Sequence, residues 1–286
     1  MSSEVARPVG ADSQSEKIAW SEDPLTARAR AVWSAGDFLP IARSFAAGAQ
    51  EFIDRLAISR GESVLDVACG TGNLAIPAAR AGARVIGIDI APNLIAEARR
   101  EARTSGYPIS FEVGDAESLP YVDGQFDTTV TMFGAMFAYR PLRAASELLR
   151  VTRSGGRVAM ANWTPEGVVG KMLKAHVALV PPPAGVASPL GWGVEDTVRE
   201  RFGKGVESIT FTKRTIELRF AFAPAGVSEL FAACYGPTVS TLRALDPAGQ
   251  SKLREELTHL FTEHNLATDG GTVVASEYLD VQARVA

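Results

Sequence analysis

The sequence predicts an α/β protein built on a doubly wound, mostly parallel sheet, and three observations lead to that prediction. Short apolar runs alternate with helical patterns of about a dozen residues in the middle of the chain, as in parallel sheets covered by helices on both faces. A glycine-rich turn follows the first apolar run, which contains Asp66, and Asp89 and Asp115 follow the second and third runs. With 286 residues, 46% of them hydrophobic, the chain can also bury a large core without a disulfide or a metal.

The N-terminal part of the chain precedes the alternation. Residues 1–22 show no apolar periodicity, and we expect a flexible lead-in there. Within residues 23–58, apolar side chains recur at steps of three and four, with interruptions at Gly36 and Pro40. This spacing predicts a pair of amphipathic helices.

Residues 59–163 carry the regular alternation and form the predicted core. Glycines and prolines mark the ends of the segments, and the apolar runs are too short for helices. We expect strands at 64–68, 84–88, 109–113, 126–131 and 157–162, and helices at 73–80, 92–106 and 141–152. The core is therefore expected to be Rossmann-like.

The alternation loosens after residue 163, and residues 164–271 predict a helical and strand insertion. Helical patterns occupy 166–180, 195–202, 224–235 and 247–265, while alternation between 209 and 222 predicts one or two strands. Residues 272–286 are expected to supply a final strand that completes the sheet.

Charge, cysteine and histidine usage narrow the classes of ligand and partner. The 29 basic and 33 acidic residues give a net charge of −4 without a basic cluster, so we expect no nucleic-acid partner. Cys69 and Cys234 are the only cysteines, and they lack the spacing of metal ligands. The three histidines, His176, His259 and His264, lack it too, so we expect no metal. Without a signal-peptide pattern or an apolar run of about 18 residues, we expect no membrane span and a cytoplasmic location.

The glycine-rich turn allows two interpretations by its spacing. The run VLDVACGTGN at 64–73 places glycines where a ligand can lie against bare backbone. Gly70, Gly72 and Ala75 also fit the G-x-G-x-x-G/A pattern of dinucleotide sites, with Asp89 at the distance of a ribose-binding acid. Spacing alone does not separate these interpretations.

The charge of Asp66 favours a cationic ligand over a dinucleotide. A carboxylate at the mouth of the loop would repel a pyrophosphate and attract an ammonium group. The segment Gly114-Asp115-Ala116-Glu117 after the third strand adds a carboxylate and backbone amides that suit an adenine ring. Both features lie outside the dinucleotide pattern.

These motifs together resemble the successive motifs of class I S-adenosylmethionine-dependent methyltransferases. The resemblance rests on VLDVACGTGN, GIDIAP, GDAESLP and FDTTVTMFGAMF, and it covers about residues 45–163. The segment LRVTRSGGR, before the fifth strand, is similar to the turn that members of one branch share at this position. That branch contains the ubiquinone and menaquinone C-methyltransferases. The resemblance implies S-adenosylmethionine as the cofactor and S-adenosylhomocysteine as the product.

The resemblance also implies roles for particular residues. Asp66 would reach the cofactor's ammonium, Asp89 its ribose hydroxyls and Asp115 its adenine amino group. The implied cofactor-binding residues are Asp66, Ala68, Gly70, Gly72, Asn73, Asp89, Ile90, Asp115, Ala116, Met132 and Phe133.

The acceptor is expected to bind outside this core, where aromatic residues are frequent. A methyl group on a sulfonium is already activated for in-line displacement, so no nucleophilic side chain is needed. The catalytic residue is left unassigned, with Tyr139, His176 and Tyr235 as possible bases. We expect a small apolar or aromatic acceptor, a lid from 23–58 and an acceptor-binding cap from 164–271. The expected acceptor contacts are Trp33, Phe38, Phe137, Trp163 and Tyr235.

Three alternatives stay open at this point. An NAD-type oxidoreductase would use the same glycine loop, and a non-enzymatic protein would bind S-adenosylmethionine without turnover. A nucleic-acid methyltransferase is disfavoured, because the Pro-Pro-aromatic motif of base-amino methylases is missing after the fourth strand. The sequence does not assign an oligomeric state.

Overall fold

The computed structural model describes residues 23–286, and their strands form one seven-stranded sheet. The predicted lead-in at 1–22 lies outside the described residues. The strands are β1 (Ser63–Val67), β2 (Arg84–Asp89), β3 (Ser110–Val113), β4 (Phe126–Met132), β5 (Thr152–Trp163), β6 (Val206–Phe220) and β7 (Thr272–Val285).

The strand order confirms the predicted fold class. The order is β3-β2-β1-β4-β5-β7-β6, with parallel pairing from β3 to β5 and antiparallel pairing of β7 with both β5 and β6. The sheet is therefore mostly parallel and doubly wound. From β1 the chain adds β2 and β3 on one side and then β4 and β5 on the other, so the strand order reverses between β1 and β4. The crevice at such a switch point is where open α/β sheets bind ligands.

Eleven helices surround the sheet within the described residues. They are α1 (Pro24–Trp33), α2 (Leu39–Ser44), α3 (Ala46–Leu56), α4 (Ala75–Arg80), α5 (Pro92–Ser105), α6 (Pro141–Val151), α7 (Val168–Leu179), α8 (Glu195–Phe202), α9 (Pro224–Cys234), α10 (Gly236–Ala244) and α11 (Pro247–Glu263). Short 3-10 helices lie at Ala135–Phe137, Pro189–Gly193 and Gly203–Gly205. None of the helices in 23–286 is long and apolar enough to cross a membrane.

The N-terminal segment differs from the predicted pair of helices. It forms α1, α2 and α3, because a second break falls at Phe45. Pro40 does not interrupt a helix but sits in the first turn of α2, where a missing N–H group costs no hydrogen bond. At Gly36, a Cβ atom would lie 2.2 Å from the carbonyl oxygen of Cys234, so the connection packs too closely for a side chain.

The C-terminal part contains one helix that the sequence pattern did not predict. Helix α10 follows α9 after Tyr235 alone and starts with Pro237 in its first turn. Strand β5 also begins earlier than predicted, at Thr152, and its pairing with β4 shifts register near Asp127. The alternation after 206 forms one strand, which ends at Phe220, and Phe222 lies exposed beyond it.

The central strands are largely apolar because both of their faces are buried. In β1, the side chains from Val64 to Val67 are all buried, as expected for a strand covered by helices on both sides. The same burial includes Asp66, the only charged residue of that strand. The carboxyl ends of β1, β2, β3 and β4 meet at one edge of the sheet, where the candidate site lies.

Candidate functional site

A cavity that opens to solvent lies at the carboxyl ends of the parallel strands, and we call it the strand-end cavity. Its walls come from the segments after β1, β2, β3 and β4 and from helix α1. It is lined by Leu25, Thr26, Ala29, Trp33, Phe38, Ala68, Gly70, Asp89, Ile90, Leu94, Gly114, Asp115, Ala116, Glu117, Phe133, Gly134, Ala135, Phe137, Ala138 and Tyr139. The charged side chains in this lining are all acidic.

The loop after β1 presents its backbone to the cavity. Ala68 has a φ of 55° and Gly70 a φ of 54°, so both occupy the left-handed region. A Cβ on Gly70 would meet only the Phe38 ring, at 3.8 Å, and the backbone is thus open to a ligand. On the opposite side, a Cβ on Gly134 would lie 2.5 Å from the carbonyl oxygen of Ala68, so the β4 segment packs directly against this loop.

Asp89 ends β2 and lies in the wall of the cavity. Its Oδ2 accepts a hydrogen bond from the Gly70 N–H at 2.8 Å, and its Oδ1 accepts one from the Ala91 N–H at 2.9 Å. Burial raises the pKa of Asp89 to about 6, although these hydrogen bonds oppose the rise. Each carboxylate oxygen has a further lone pair for a ligand hydroxyl.

Asp66 lies beneath the loop, and it is absent from the cavity wall. The residue is only 1% exposed, and its Oδ2 accepts a hydrogen bond from the Ala75 N–H at 2.9 Å, at the start of α4. Burial raises the pKa of Asp66 well above its usual range, and the charge of Asp89 adds to the rise. Asp66 therefore holds the start of α4, directly after the glycine loop.

Asp115 follows β3 and connects the cavity to helix α1. Its Oδ1 accepts from the Glu117 N–H at 2.9 Å, and its Oδ2 accepts from the Thr26 hydroxyl at 3.0 Å. A second connection runs through Arg140, which pairs with Glu117 and with Asp23, both at 2.7 Å. Asp23 is also the N-cap of α1, and Arg140 lowers its pKa to about 2. Helix α1 is thus held over the cavity at its first turn.

The end of β4 places an aromatic ring in the wall. Phe133 has a φ of 54° and stacks on Trp163, with ring centroids 3.5 Å apart and ring planes 8° apart. Trp163 is 4% exposed and lies behind Phe133, outside the cavity lining. Residues held in sparsely populated backbone regions cluster at binding sites, and Ala68 and Phe133 both line this cavity.

An aromatic cluster closes the side of the cavity near α1. Trp33 contacts Phe137 and Tyr235, with centroid distances of 5.0 and 5.8 Å, and Phe38 lies 6.3 Å from Tyr235. Trp33, Phe38 and Phe137 line the cavity, whereas Tyr235 is buried behind them. Burial raises the pKa of Tyr235, which disfavours its ionisation.

The structure brings most of the expected cofactor residues together. Those in the wall of the strand-end cavity are Ala68, Gly70, Asp89, Ile90, Asp115, Ala116 and Phe133. Those outside it are Asp66, Gly72, Asn73 and Met132. The Asn73 amide donates to the Ala42 carbonyl at 2.9 Å, so it attaches the loop to α2.

Tyr139 and His176, two of the three possible bases, lie in different parts of the structure. Tyr139 lies in the wall of the strand-end cavity, while His176 lines a neighbouring cavity and shares a hydrogen bond with Thr238. Burial lowers the pKa of His176 to about 4, so its ring is neutral near pH 7. Among residues 23–286 there is no group of three or more His, Cys, Asp or Glu that could hold a metal.

Sequence reasoning missed the contribution of the first turn of α1. Leu25, Thr26 and Ala29 line the cavity, but the Thr26–Asp115 hydrogen bond joins positions 89 residues apart. No local pattern signals such a contact. The acidic residue before Pro24 was the available sign, since Asp before Pro indicates a helix N-cap.

Three similar proteins and one sequence family relate the chain to known proteins. A family described as a methyltransferase domain matches residues 64–156. An uncharacterised Mycobacterium tuberculosis protein is 36% identical over 259 residues, which cover 89% of this chain and 93% of that protein. A Beutenbergia cavernae demethylmenaquinone methyltransferase is 35% identical over 131 residues, 44% of this chain and 53% of that enzyme.

The third is a solved structure. Haemonchus contortus phosphoethanolamine N-methyltransferase 2, in complex with phosphomonomethylethanolamine and S-adenosylhomocysteine, has a TM-score of 0.54 to this chain. The two are 15% identical, over 84% of this chain and 52% of that one, so the likeness concerns the fold.

Proposed function

Because this chain belongs to the class I S-adenosylmethionine-dependent methyltransferases, we propose that its strand-end cavity binds S-adenosylmethionine and that it methylates a small apolar or aromatic acceptor. The observation that carries the proposal is the position of Asp89 and Asp115. They follow adjacent parallel strands and line the same cavity, as a nucleoside with polar groups at two points requires.

The nucleoside end of the cofactor fits the residues after β2 and β3. Asp89 would accept hydrogen bonds from both ribose hydroxyls, since its oxygens are fixed by the Gly70 and Ala91 N–H groups. Ile90 would pack on the adenine, Asp115 would accept from the adenine amino group and the Ala116 N–H would donate to the ring. All of these groups belong to the cavity wall.

The methionine end would lie against the loop after β1. Ala68 and Gly70 expose their backbone there, and Phe133 lines the same cavity. Asp66 would attract the ammonium from beneath this loop, since it is 1% exposed and bonded to Ala75 at the start of α4.

S-adenosylmethionine, when bound, supplies a methyl group that its sulfonium has already activated. The protein's part is then to position the acceptor and to exclude water. Helix α1 covers the cavity, and Trp33, Phe38 and Phe137 give it an apolar side. No general base is assigned, because the need for one depends on the acceptor.

The charge of the cavity disfavours a dinucleotide. Its lining contains Asp89, Asp115 and Glu117 but neither lysine nor arginine. A pyrophosphate in this cavity would therefore face carboxylates without a compensating cation. A sulfonium and an ammonium group suit the same surroundings.

The proposal is tested by binding and then by transfer. Isothermal titration with S-adenosylhomocysteine and with NADH separates the two cofactor classes, and we expect heat of binding only with the first. Binding of NADH alone would overturn the proposal. A transfer assay with labelled S-adenosylmethionine and a metabolite extract, followed by mass spectrometry, then identifies the molecule that gains a methyl group. Binding without any transfer would favour a non-enzymatic protein.

A further inference from the structure

A second cavity, also open to solvent, adjoins the strand-end cavity, and we call it the helix-side cavity. Trp33, Phe137 and Tyr139 line both cavities and thus form the wall between them. The rest of the helix-side cavity comes from α1, α7, α10 and the segment between α7 and α8. Any molecule bound there would lie next to the proposed cofactor site.

Aromatic and proline side chains make two apolar groups in the lining of the helix-side cavity. The Trp33 and Phe137 rings form one group, with centroids 5.0 Å apart and ring planes 67° apart. Pro181, Pro182 and Pro183 lie in the lining at the end of α7, where they cannot continue the helix. A planar ring system suits a space between aromatic and proline side chains.

Arg28 is the one charged side chain in the lining of the helix-side cavity. The residue is exposed, and no carboxylate within residues 23–286 forms a salt bridge with it. Its side chain hydrogen-bonds to Tyr139, and this bond and its charge oppose part of the rise that burial causes in the pKa of Tyr139. Because no carboxylate among the described residues neutralises Arg28, its positive charge can pair with an anionic ligand.

The inner end of the helix-side cavity is polar but uncharged. His176 is 5% exposed, and its Nε2 shares a hydrogen bond with the Thr238 hydroxyl at 2.9 Å. Thr241 and Ser240 of α10 also belong to the lining. The cavity thus has an apolar middle, neutral polar groups on the helices and one cation, Arg28.

We propose that the helix-side cavity is the acceptor chamber, and that the acceptor is an aromatic acid whose anionic group pairs with Arg28. This inference rests on the proposed methyltransferase function, because it places the acceptor beside the cofactor cavity. The ring system lies between Trp33, Phe137 and the prolines. The end of the acceptor that receives the methyl group faces the wall that the two cavities share.

Two fluorescent probes with the same ring system test the inference. Anilinonaphthalene sulfonate carries an anionic group, and phenylnaphthylamine lacks it. Both are titrated into the full-length protein saturated with S-adenosylhomocysteine, whose own affinity is measured by calorimetry. We expect the Arg28→Gln variant to bind the sulfonate about fivefold more weakly while its affinity for the neutral probe is unchanged. Arg28→Lys should keep much of the affinity for the sulfonate.

Two further variants locate the effect. Arg103→Gln removes an exposed arginine near the end of α5, outside both cavities, and should leave the affinity for both probes unchanged. Ser240→Trp fills the helix-side cavity and should weaken both probes without changing S-adenosylhomocysteine affinity. Thermal denaturation shows whether each variant is folded.

The outcomes separate this inference from the proposed function. If S-adenosylhomocysteine binds but Arg28→Gln leaves the sulfonate affinity unchanged, or Ser240→Trp leaves both probes bound as before, the acceptor chamber is overturned and the proposed function stands. If S-adenosylhomocysteine fails to bind the wild-type protein, both are overturned.

Discussion

The Thr26 hydroxyl donates a hydrogen bond to Oδ2 of Asp115 at 3.0 Å and so joins helix α1 to the segment after β3. The same carboxylate is proposed to accept a hydrogen bond from the adenine amino group. The ion pair between Asp23 and Arg140, at 2.7 Å, holds the same end of α1. Since Thr26 lines the strand-end cavity, α1 covers the ligand that we propose for it.

The first prediction concerns this attachment of α1. Asp23→Asn keeps a good N-cap residue but removes the charge that pairs with Arg140. We expect S-adenosylhomocysteine to dissociate about two- to fivefold faster, because an exposed ion pair contributes little free energy but acts directly on the covering helix. Stopped-flow displacement measures this rate. Asp123→Asn, which removes the exposed partner of Arg150, is the matched control and should dissociate at the wild-type rate.

The second prediction concerns Asp89 and the ribose. Asp89→Ala removes the acceptor of the proposed ribose hydroxyls, and a hydrogen bond to a charged group contributes about 1.5 to 3 kcal/mol. We expect S-adenosylhomocysteine affinity to fall by about tenfold or more in calorimetry. The Gly70 and Ala91 N–H groups also lose their acceptor, so thermal denaturation must accompany the titration. Wild-type affinity in the folded variant would exclude the ribose role.

The third prediction is a pH dependence of binding. The pKa of Asp89 is raised to about 6 in the free protein, and the ionised form accepts from both hydroxyls. Binding thus requires loss of the proton, and affinity should fall by roughly tenfold as the pH drops from about 7 to about 5. Calorimetry in buffers of different ionisation enthalpy would detect the released proton. In Asp89→Asn the affinity should vary little over this range; an equal fall in that variant would assign the titration to another group.

The parts of the fold that could be predicted are those that local pattern determines. Strands β1 to β4 lie within one or two residues of their predicted positions, because apolar runs bounded by glycine or acidic residues suit buried parallel strands. The positions of Asp89 and Asp115 at strand ends followed from the same pattern. The break at Phe45 carries no glycine or proline signal, and packing determines it. Helix α10 begins with Gly236 and Pro237, which suit a helix start but also suit a turn after α9, so the local pattern alone does not decide between them.

The parts of the site that could not be predicted depend on contacts between distant segments. The stack of Phe133 on Trp163 and the left-handed backbone of Ala68 arise where β1, β4 and β5 meet. Trp163, which is expected to contact the acceptor because it ends a strand, stacks on Phe133 and lies outside the lining of both cavities. A residue at a strand end can point to either side of the sheet's edge, and the sequence does not tell which.

The last prediction concerns Asp66, which is buried with a pKa raised well above its usual range. A carboxyl with a raised pKa in the folded state ionises more easily in the unfolded state, so the fold loses stability as the pH rises above about 4. Asp66→Asn removes that loss while keeping an acceptor for the Ala75 N–H. We expect the melting temperature of the variant, relative to that of wild type, to increase between about pH 4 and pH 8. Each kcal/mol gained in the free energy of unfolding should raise it by about 2 to 4 °C. Its affinity for S-adenosylhomocysteine should fall below that of wild type increasingly as the pH rises, because only the ionised Asp66 carboxylate gives the proposed ammonium a nearby negative charge.

Asp127→Asn gives a control of opposite sign. Arg153 and Ser63 lower the pKa of Asp127 below its usual range, so its charge stabilises the fold above about pH 4 and this contribution is lost as the pH falls. That variant should melt below wild type at neutral pH, with a difference that shrinks in acid, and should bind S-adenosylhomocysteine normally. An Asp66→Asn variant that loses stability at neutral pH as Asp127→Asn does would show that the Asp66 carboxylate is stabilised by its surroundings, contrary to its burial. Unchanged affinity would remove Asp66 from the cofactor site.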